Sequence, residues 1–382
     1  MDILPVNFKI FTFCGIWRER DDLDIFMRLI NFFHGSMVIT IIFYFTLTEL
    51  IEIIVSRNDL EDVTESLFMA LTFLALCFKL LNILFRKRKL LILLNLLREK
   101  ICRPRNVTEE KILESYSRRG TKYICWEYKI LIIEMCLRAI AKWCTLSFMA
   151  LSETTAVAFV LAPIMELHRS NRVLPYNTYL PYSIEELHAY LVTYLIHTVS
   201  IIYGALLNVS FDSLVYGLTL HVCGQIAILS ERCTQTLREG NSNEIKECVR
   251  HYVFIHGLVK RIESLFIWTI AVLFLFSLIT LCTTIFQMSK KNPLTVEFLS
   301  FVLYTGSMMF QIFCYCWYGN ELRLKSKEIS DAIYNSKWIM STPNNRRNLQ
   351  LLMRVSQKEL TLTYHRIFSL NLDVFTWVRK HR

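Results

Sequence analysis

SLFIWTIAVLFLFSLITLCTTIFQM, Ser264–Met288, runs for 25 residues without a charge. At ~1.5 Å per residue such a run makes a helix long enough to cross ~30 Å of hydrocarbon. FLSFVLYTGSMMFQIFCYCWY, Phe298–Tyr318, is charge-free in the same way. Working outward, Phe32–Val55 and Val63–Phe85 read as two earlier spans, with isolated charges at Glu49, Glu52 and Lys79. Further spans run near Cys136–Ile164 and Leu187–Tyr216, and a weaker seventh from Leu349 onward is interrupted by Arg354, Lys358, Glu359 and Arg366. The expected fold is all-α: a polytopic membrane bundle of about seven transmembrane helices in one domain. Residues 1–31 are expected as a cytoplasmic N-terminus, 32–348 as helices one to six with cytoplasmic helical extensions, and 349–382 as an incomplete, truncated seventh helix.

Composition supports the lipid bilayer as the solvent. The chain is 53% hydrophobic and 13% aromatic, with a mean hydropathy of +0.36. A net charge of +10 could suggest nucleic acid. The basic residues sit in blocks between apolar runs, however, as membrane loops do, so no nucleic acid is expected. The segments after the second, fourth and sixth spans carry clusters such as Arg86-Lys87-Arg88-Lys89, then Arg232, Arg238, Lys246 and Arg250, then Arg323, Lys325 and Lys327. The alternate loops hold only Arg57, then Arg169 and Arg172, then Lys290 and Lys291. Lysine and arginine favour the cytoplasmic side, so the N-terminus is expected inside. The opening Phe8–Trp17 is short and lacks a small-residue cleavage site, unlike a signal peptide. None of the 12 cysteines lies in an outward segment, so an outer disulfide is not expected. Asn106-Val107-Thr108 matches a glycosylation pattern but falls on the cytoplasmic side.

The cytoplasmic segments are patterned. Ile245, Val249, Tyr252, Val253, Ile255 and His256 form an apolar stripe leading into the fifth span, and Leu322, Ile329, Ile333 and Tyr334 one leaving the sixth. Such stripes must bury against something, either one another or neighbouring subunits. There is no phosphate loop, no HExxH, no CxxC pair and no metal-spaced histidine set. Neither enzyme activity, cofactor nor metal is expected.

Several stretches together resemble the insect odorant receptor family over nearly the whole chain. They are the opening Phe8–Trp17, Leu174–Tyr182, Phe211-Asp212-Ser213-Leu214, Gln225 with Leu229–Arg232, Tyr315–Leu322, Ile333-Tyr334, Trp338 and Ser369–Thr376. The resemblance implies a ligand-gated, non-selective cation channel that detects small volatile odorants in smell. It implies a heterotetramer with an odorant co-receptor subunit, in the plasma membrane of a sensory neuron dendrite. Asp212, Gln225, Tyr318, Glu321, Tyr334 and Trp338 would belong to the anchor and assembly region, and Leu370, Leu372 and Phe375 to the start of the pore helix. Family members continue beyond Val378 with the stretch that holds the gate. This chain instead ends on Arg379-Lys380-His381-Arg382, so it is expected not to conduct as a homomer.

The ligand pocket of such a receptor should be apolar with a few polar handles. Outward depth places Phe68, Leu71 and Thr72 there from the second span, and Trp143, Phe148 and Met149 from the third. The fourth supplies Tyr190, Tyr194 and His197, spaced i, i+4, i+7 on one face, and the sixth Tyr304 and Met308. Interhelical packing is the plainer account of each. Glu134, Arg138 and Lys142 lie four residues apart and read as a salt-bridged face at the inner end of the third span. A G-protein-coupled receptor is disfavoured by loop charge, and a transporter by the lack of repeated halves. A gustatory receptor would need Gln and Phe where Leu370 and Asn371 follow Thr363-Tyr364.

Overall fold

The seven prolines all fall outside the five longest helices of the structure. Proline removes a backbone donor and clashes with the preceding turn, so its absence from these segments lets each helix run on past the bilayer. The computed structural model describes residues 4–17, 25–56, 60–105, 109, 150–158, 160, 174–176, 178–239, 242–293, 295–336, 338–364 and 368–370. Helices α1 (Pro5–Phe13), α2 (Ile25–Val55), α3 (Leu60–Leu97), α4 (Leu187–Glu239), α5 (Ser242–Lys290), α6 (Val296–Tyr334) and α7 (Pro343–Ser356) follow in order. Residues 150–158 form a further helical stretch within the expected third span. Among the described residues, α2 to α6 are long and apolar enough to cross a membrane.

α4 has 53 residues, ~80 Å of helix against ~30 Å of hydrocarbon. The surplus continues the span as one helix without a break. In α5 the buried positions Ile245, Cys248, Tyr252, Ile255, Leu258, Val259 and Ile262 keep helical spacing, while Val253 and His256 turn outward. α3 packs on α5, and α4 packs on both α5 and α6. Large apolar side chains cover the outside of the bundle, Phe33 at 67% and Leu195 at 62% exposed, as befits surfaces solvated by lipid.

Both terminal regions pack onto the long helices. α1 docks on α4: the Asn7 side-chain amide donates to the Ser210 carbonyl (3.0 Å) and to Ser213 Oγ (2.6 Å). Gly15, at φ +74°, lets the following backbone pass against Gly35 of α2, where a Cβ would collide. Trp17 then packs on Phe8 at 4.9 Å, beneath the Lys87 ammonium at 5.3 Å.

The seventh span expected from Leu349 is absent among the described residues. α7 is only 14 residues long, ~21 Å, with Pro343 opening its first turn. It is amphipathic, burying Leu349 and Leu352 against α6 and α5. Lys358 and Glu359 interrupt the apolar pattern beyond it, and the chain turns into a hairpin, β1 (Thr363–Tyr364) antiparallel to β2 (Phe368–Ser369). Thr363 donates twice to Glu263 Oε1 of α5, from its amide (3.1 Å) and its hydroxyl (2.9 Å). Leu370 is buried beside Gly319 of α6, where a Cβ would collide with the Leu370 carbonyl. Leu372 and Phe375 lie outside the described residues.

Candidate functional site

The outer half of the bundle is built from rings. Phe68 of α3 lies 5.3 Å from both Phe301 and Tyr304 of α6. Phe45 of α2 lies 4.6 Å from Phe73 and 5.1 Å from His197 of α4. The outer loop before α4 folds inward: Tyr176 is buried and packs edge-on against Phe45 and Phe68, 6.4 Å from each. Tilted and edge-to-face pairs of this kind add ~0.5–1.5 kcal/mol each beyond area burial.

Polar groups are few and placed. Tyr304 and Thr72 share a hydrogen bond between their hydroxyls, and the Tyr304 hydroxyl reaches the Phe68 carbonyl at 3.4 Å. Thr178 of the loop bonds His197 Nε2 at 3.2 Å, while His197 Nδ1 is buried without a partner among the described residues. Glu49 is fully buried, and neither of its carboxylate oxygens has a hydrogen-bond partner among the described residues. Tyr190 and Tyr194 lie 5.9 Å apart, and the Tyr194 hydroxyl donates to the Val160 carbonyl. His197 thus faces α2 and the outer loop, whereas Tyr194 faces the neighbourhood of the helical stretch 150–158. Trp143, Phe148, Met149, Glu134, Arg138 and Lys142 lie outside the described residues.

Below this layer a cavity of about 10 Å³ opens between α3, α4, α5 and α6, room for one water-sized group. Leu71, Thr72 and Met308 line it, together with Asn208, Ser277, Thr280 and Gln311. Deeper still, Lys79 Nζ donates to Asp212 Oδ1 and to Asn208 Oδ1, both at 2.6 Å. Tyr315 donates to Asp212 Oδ1 at 2.6 Å, and the Gln311 amide donates to Asp212 Oδ2. Lys79 and Asp212 are 1% and 0% exposed, a pair that survives burial only because its lone pairs and protons are matched.

These features can be set beside known proteins. A family model described as 7tm Odorant receptor matches residues 59–380. The chain belongs to the insect odorant receptor family. Odorant receptor 46a, isoform A, of Drosophila melanogaster is 25% identical over 347 residues, 89% of this chain and 84% of that one. Odorant receptor Or2 of Anopheles gambiae is 21% identical over 98% of this chain and 93% of its own length. The solved olfactory receptor OR5 of Machilis hrabei, in complex with eugenol, shares the fold at a TM-score of 0.83 and 19% identity, covering 99% of this chain and 94% of that one.

In this odorant receptor the suggested anchor residues separate by role. Tyr318 stacks on Tyr216 at 5.1 Å inside the bundle. Glu321 and Trp338 are half-buried, and Tyr334 is 70% exposed beside exposed Ile339 and Met340. Gln225 enters a buried network at the far end of α4 from the ring layer. Its amide donates to the Cys102 carbonyl at 3.2 Å, and His251 Nε2 lies 3.1 Å from its oxygen. Arg232 Nε and Nη2 donate to the two oxygens of Glu109, each at 2.9 Å, and Nη1 lies 3.3 Å from His251 Nδ1. A neutral imidazole with its proton on Nε2 satisfies both neighbours. Burial first, then the guanidiniums of Arg232 and Arg105, hold the His251 pKa down to about 3. Ser277, Thr280, Asn208, Tyr176 and the Arg232 network were missed in the sequence. Only the polar residues interrupting an apolar run could have signalled the first two.

Proposed function

We propose that this receptor is the odorant-binding subunit of a ligand-gated cation channel, working with an odorant co-receptor subunit in a heterotetramer. The observation that carries the reading is the aromatic layer of Phe45, Phe68, Phe73, Tyr176, Phe301 and Tyr304, closed by an outer loop and holding few polar groups. Such a lining suits a small volatile molecule, which offers mostly apolar surface to bury. Phe68, Leu71, Thr72, Tyr190, Tyr194, His197, Tyr304 and Met308 are its proposed lining, with Trp143, Phe148 and Met149 from the third span. Exposed Tyr334, Ile339 and Met340 at the cytoplasmic end support subunit contact there. Loop charge supports a cytoplasmic N-terminus, and the family a plasma-membrane location in a sensory dendrite.

The test is ligand-evoked cation current, with a volatile panel, from cells expressing this chain with a co-receptor subunit and from cells expressing the co-receptor alone. Current that requires this chain supports the reading. Equal responses from both overturn it.

A further inference from the structure

Polar atoms inside a membrane bundle have no bulk water to fall back on, so a buried hydroxyl normally finds a partner. Helical Ser and Thr usually take the carbonyl one turn back, and most here do. On α5 itself, Thr283 and Thr284 both donate to the Thr280 carbonyl, at 2.9 and 2.6 Å. Ser277 and Thr280 do not. Each is 1% exposed, and neither hydroxyl has a hydrogen-bond partner among the described residues. Both line the one-water cavity, and their i, i+3 spacing puts them on one helix face.

The rest of that cavity is set in place. Asn208 Oδ1 is held by Lys79, and the Gln311 amide is held by Asp212. The Lys79–Asp212 charges are matched within the cluster, so the cavity offers dipoles rather than an unpaired ion. Leu71, Thr72 and Met308 on its wall continue upward into the aromatic layer, since Thr72 bonds Tyr304.

We propose that Ser277 and Thr280, beside Asn208 and Gln311, form a polar subsite for the oxygen of a neutral, oxygen-bearing odorant, an alcohol, aldehyde or ketone. The inference rests on the odorant reading above and narrows it to a ligand class. A hydroxyl donates to a carbonyl oxygen and either donates to or accepts from an alcohol, so both chemistries fit. The cavity takes one oxygen-sized group, and the hydrocarbon part of the ligand lies against the rings above. A hydrocarbon of the same length leaves the two hydroxyls unpartnered, and that difference sets the selectivity.

The test uses the full chain with a co-receptor subunit and matched pairs of volatiles: hexanol and hexanal against hexane, and acetophenone against ethylbenzene. The variant Ser277→Ala with Thr280→Val removes both hydroxyls and keeps side-chain volume. The expected result is an about tenfold higher half-maximal concentration for the oxygenated member of a pair. The hydrocarbon member stays unchanged, and Thr280→Ser stays like the parent. Surface labelling is read in parallel, and Thr280→Val alone carries the comparison if the double variant does not reach the surface. Equal shifts for both members, no shift for either, or a parent receptor indifferent to the oxygen overturns the subsite while leaving the odorant reading intact. A surface-expressed parent receptor that answers no volatile of any class overturns both.

Discussion

The aromatic layer with its cavity and the network around Arg232 are both buried, yet they treat polar atoms in opposite ways. In the Arg232 network no side-chain polar atom of Arg232, Glu109, His251 or Gln225 is left buried without a partner. In the outer half, Ser277 Oγ, Thr280 Oγ1, His197 Nδ1 and both Glu49 oxygens have none among the described residues. A matched network fixes one arrangement of helices, because any shift breaks several bonds together. Unmatched groups around rings leave capacity for a ligand. The contrast separates a scaffold from the proposed binding region within helices that run through both.

The largest effect should come from breaking the scaffold. Arg232→Met leaves Glu109 buried without its charge partner, a loss of ~3–5 kcal/mol. Surface labelling and thermal unfolding of the solubilised receptor should both collapse. A receptor that unfolds like the parent would remove the network from the scaffold.

Acid should act on the same region gradually rather than all at once. His251 has a folded-state pKa of about 3 against an ordinary value of 6.5. As pH falls below about 6.5, the unfolded chain takes up a proton that the folded network refuses. Stability therefore declines from pH 6.5 down toward about 3, by at most ~1.4 kcal/mol per pH unit. Above pH 6.5 this residue contributes no slope. Thermal unfolding across that window should flatten in His251→Gln, and an unchanged slope would assign the acid response to other groups.

The smallest stability effect, and the clearer functional one, is expected in the outer half. Tyr194→Ala removes a hydroxyl donated to the Val160 carbonyl and part of the proposed lining. It should shift odorant preference while surface expression holds. If Tyr190→Ala, Tyr194→Ala and His197→Ala all keep the parent's tuning, the pocket lies elsewhere.

The spans were legible because uninterrupted apolar runs leave little choice of solvent, and α2 to α6 match the first, second, fourth, fifth and sixth of them, while the third lies mostly outside the described residues. The helical extensions beyond the apolar runs were legible because Ile245, Tyr252, Ile255, Ile329 and Ile333 keep a helical period. From Leu349 the apolar stripe belongs to α7, whose 14 residues suit an interface better than a bilayer, and the residues after Leu370, where a span would continue, lie outside the described residues. Leu71, Thr72 and Met308 could be set at a common depth from sequence because depth along a helix can be counted in residues. Tyr176 escaped because a loop's inward fold has no period to read. Ser277 and Thr280 escaped because a helical hydroxyl normally bonds its own backbone, and sequence cannot tell which ones do not. The Lys79–Asp212 pair joins residues 133 positions apart, a partnership that only the packed bundle reveals.

The central claim is that odorants occupy the outer aromatic layer, above the Lys79–Asp212 cluster. A photoreactive analogue of an activating odorant, crosslinked to the surface-expressed receptor and mapped by peptide mass spectrometry, tests it most directly. Labelling is expected on Phe68–Ala75 of α3 and Phe301–Met308 of α6, and should be competed by the unmodified odorant. Competed labelling confined to the cytoplasmic lengths of α4 and α5, around Arg232 and His251, would contradict it.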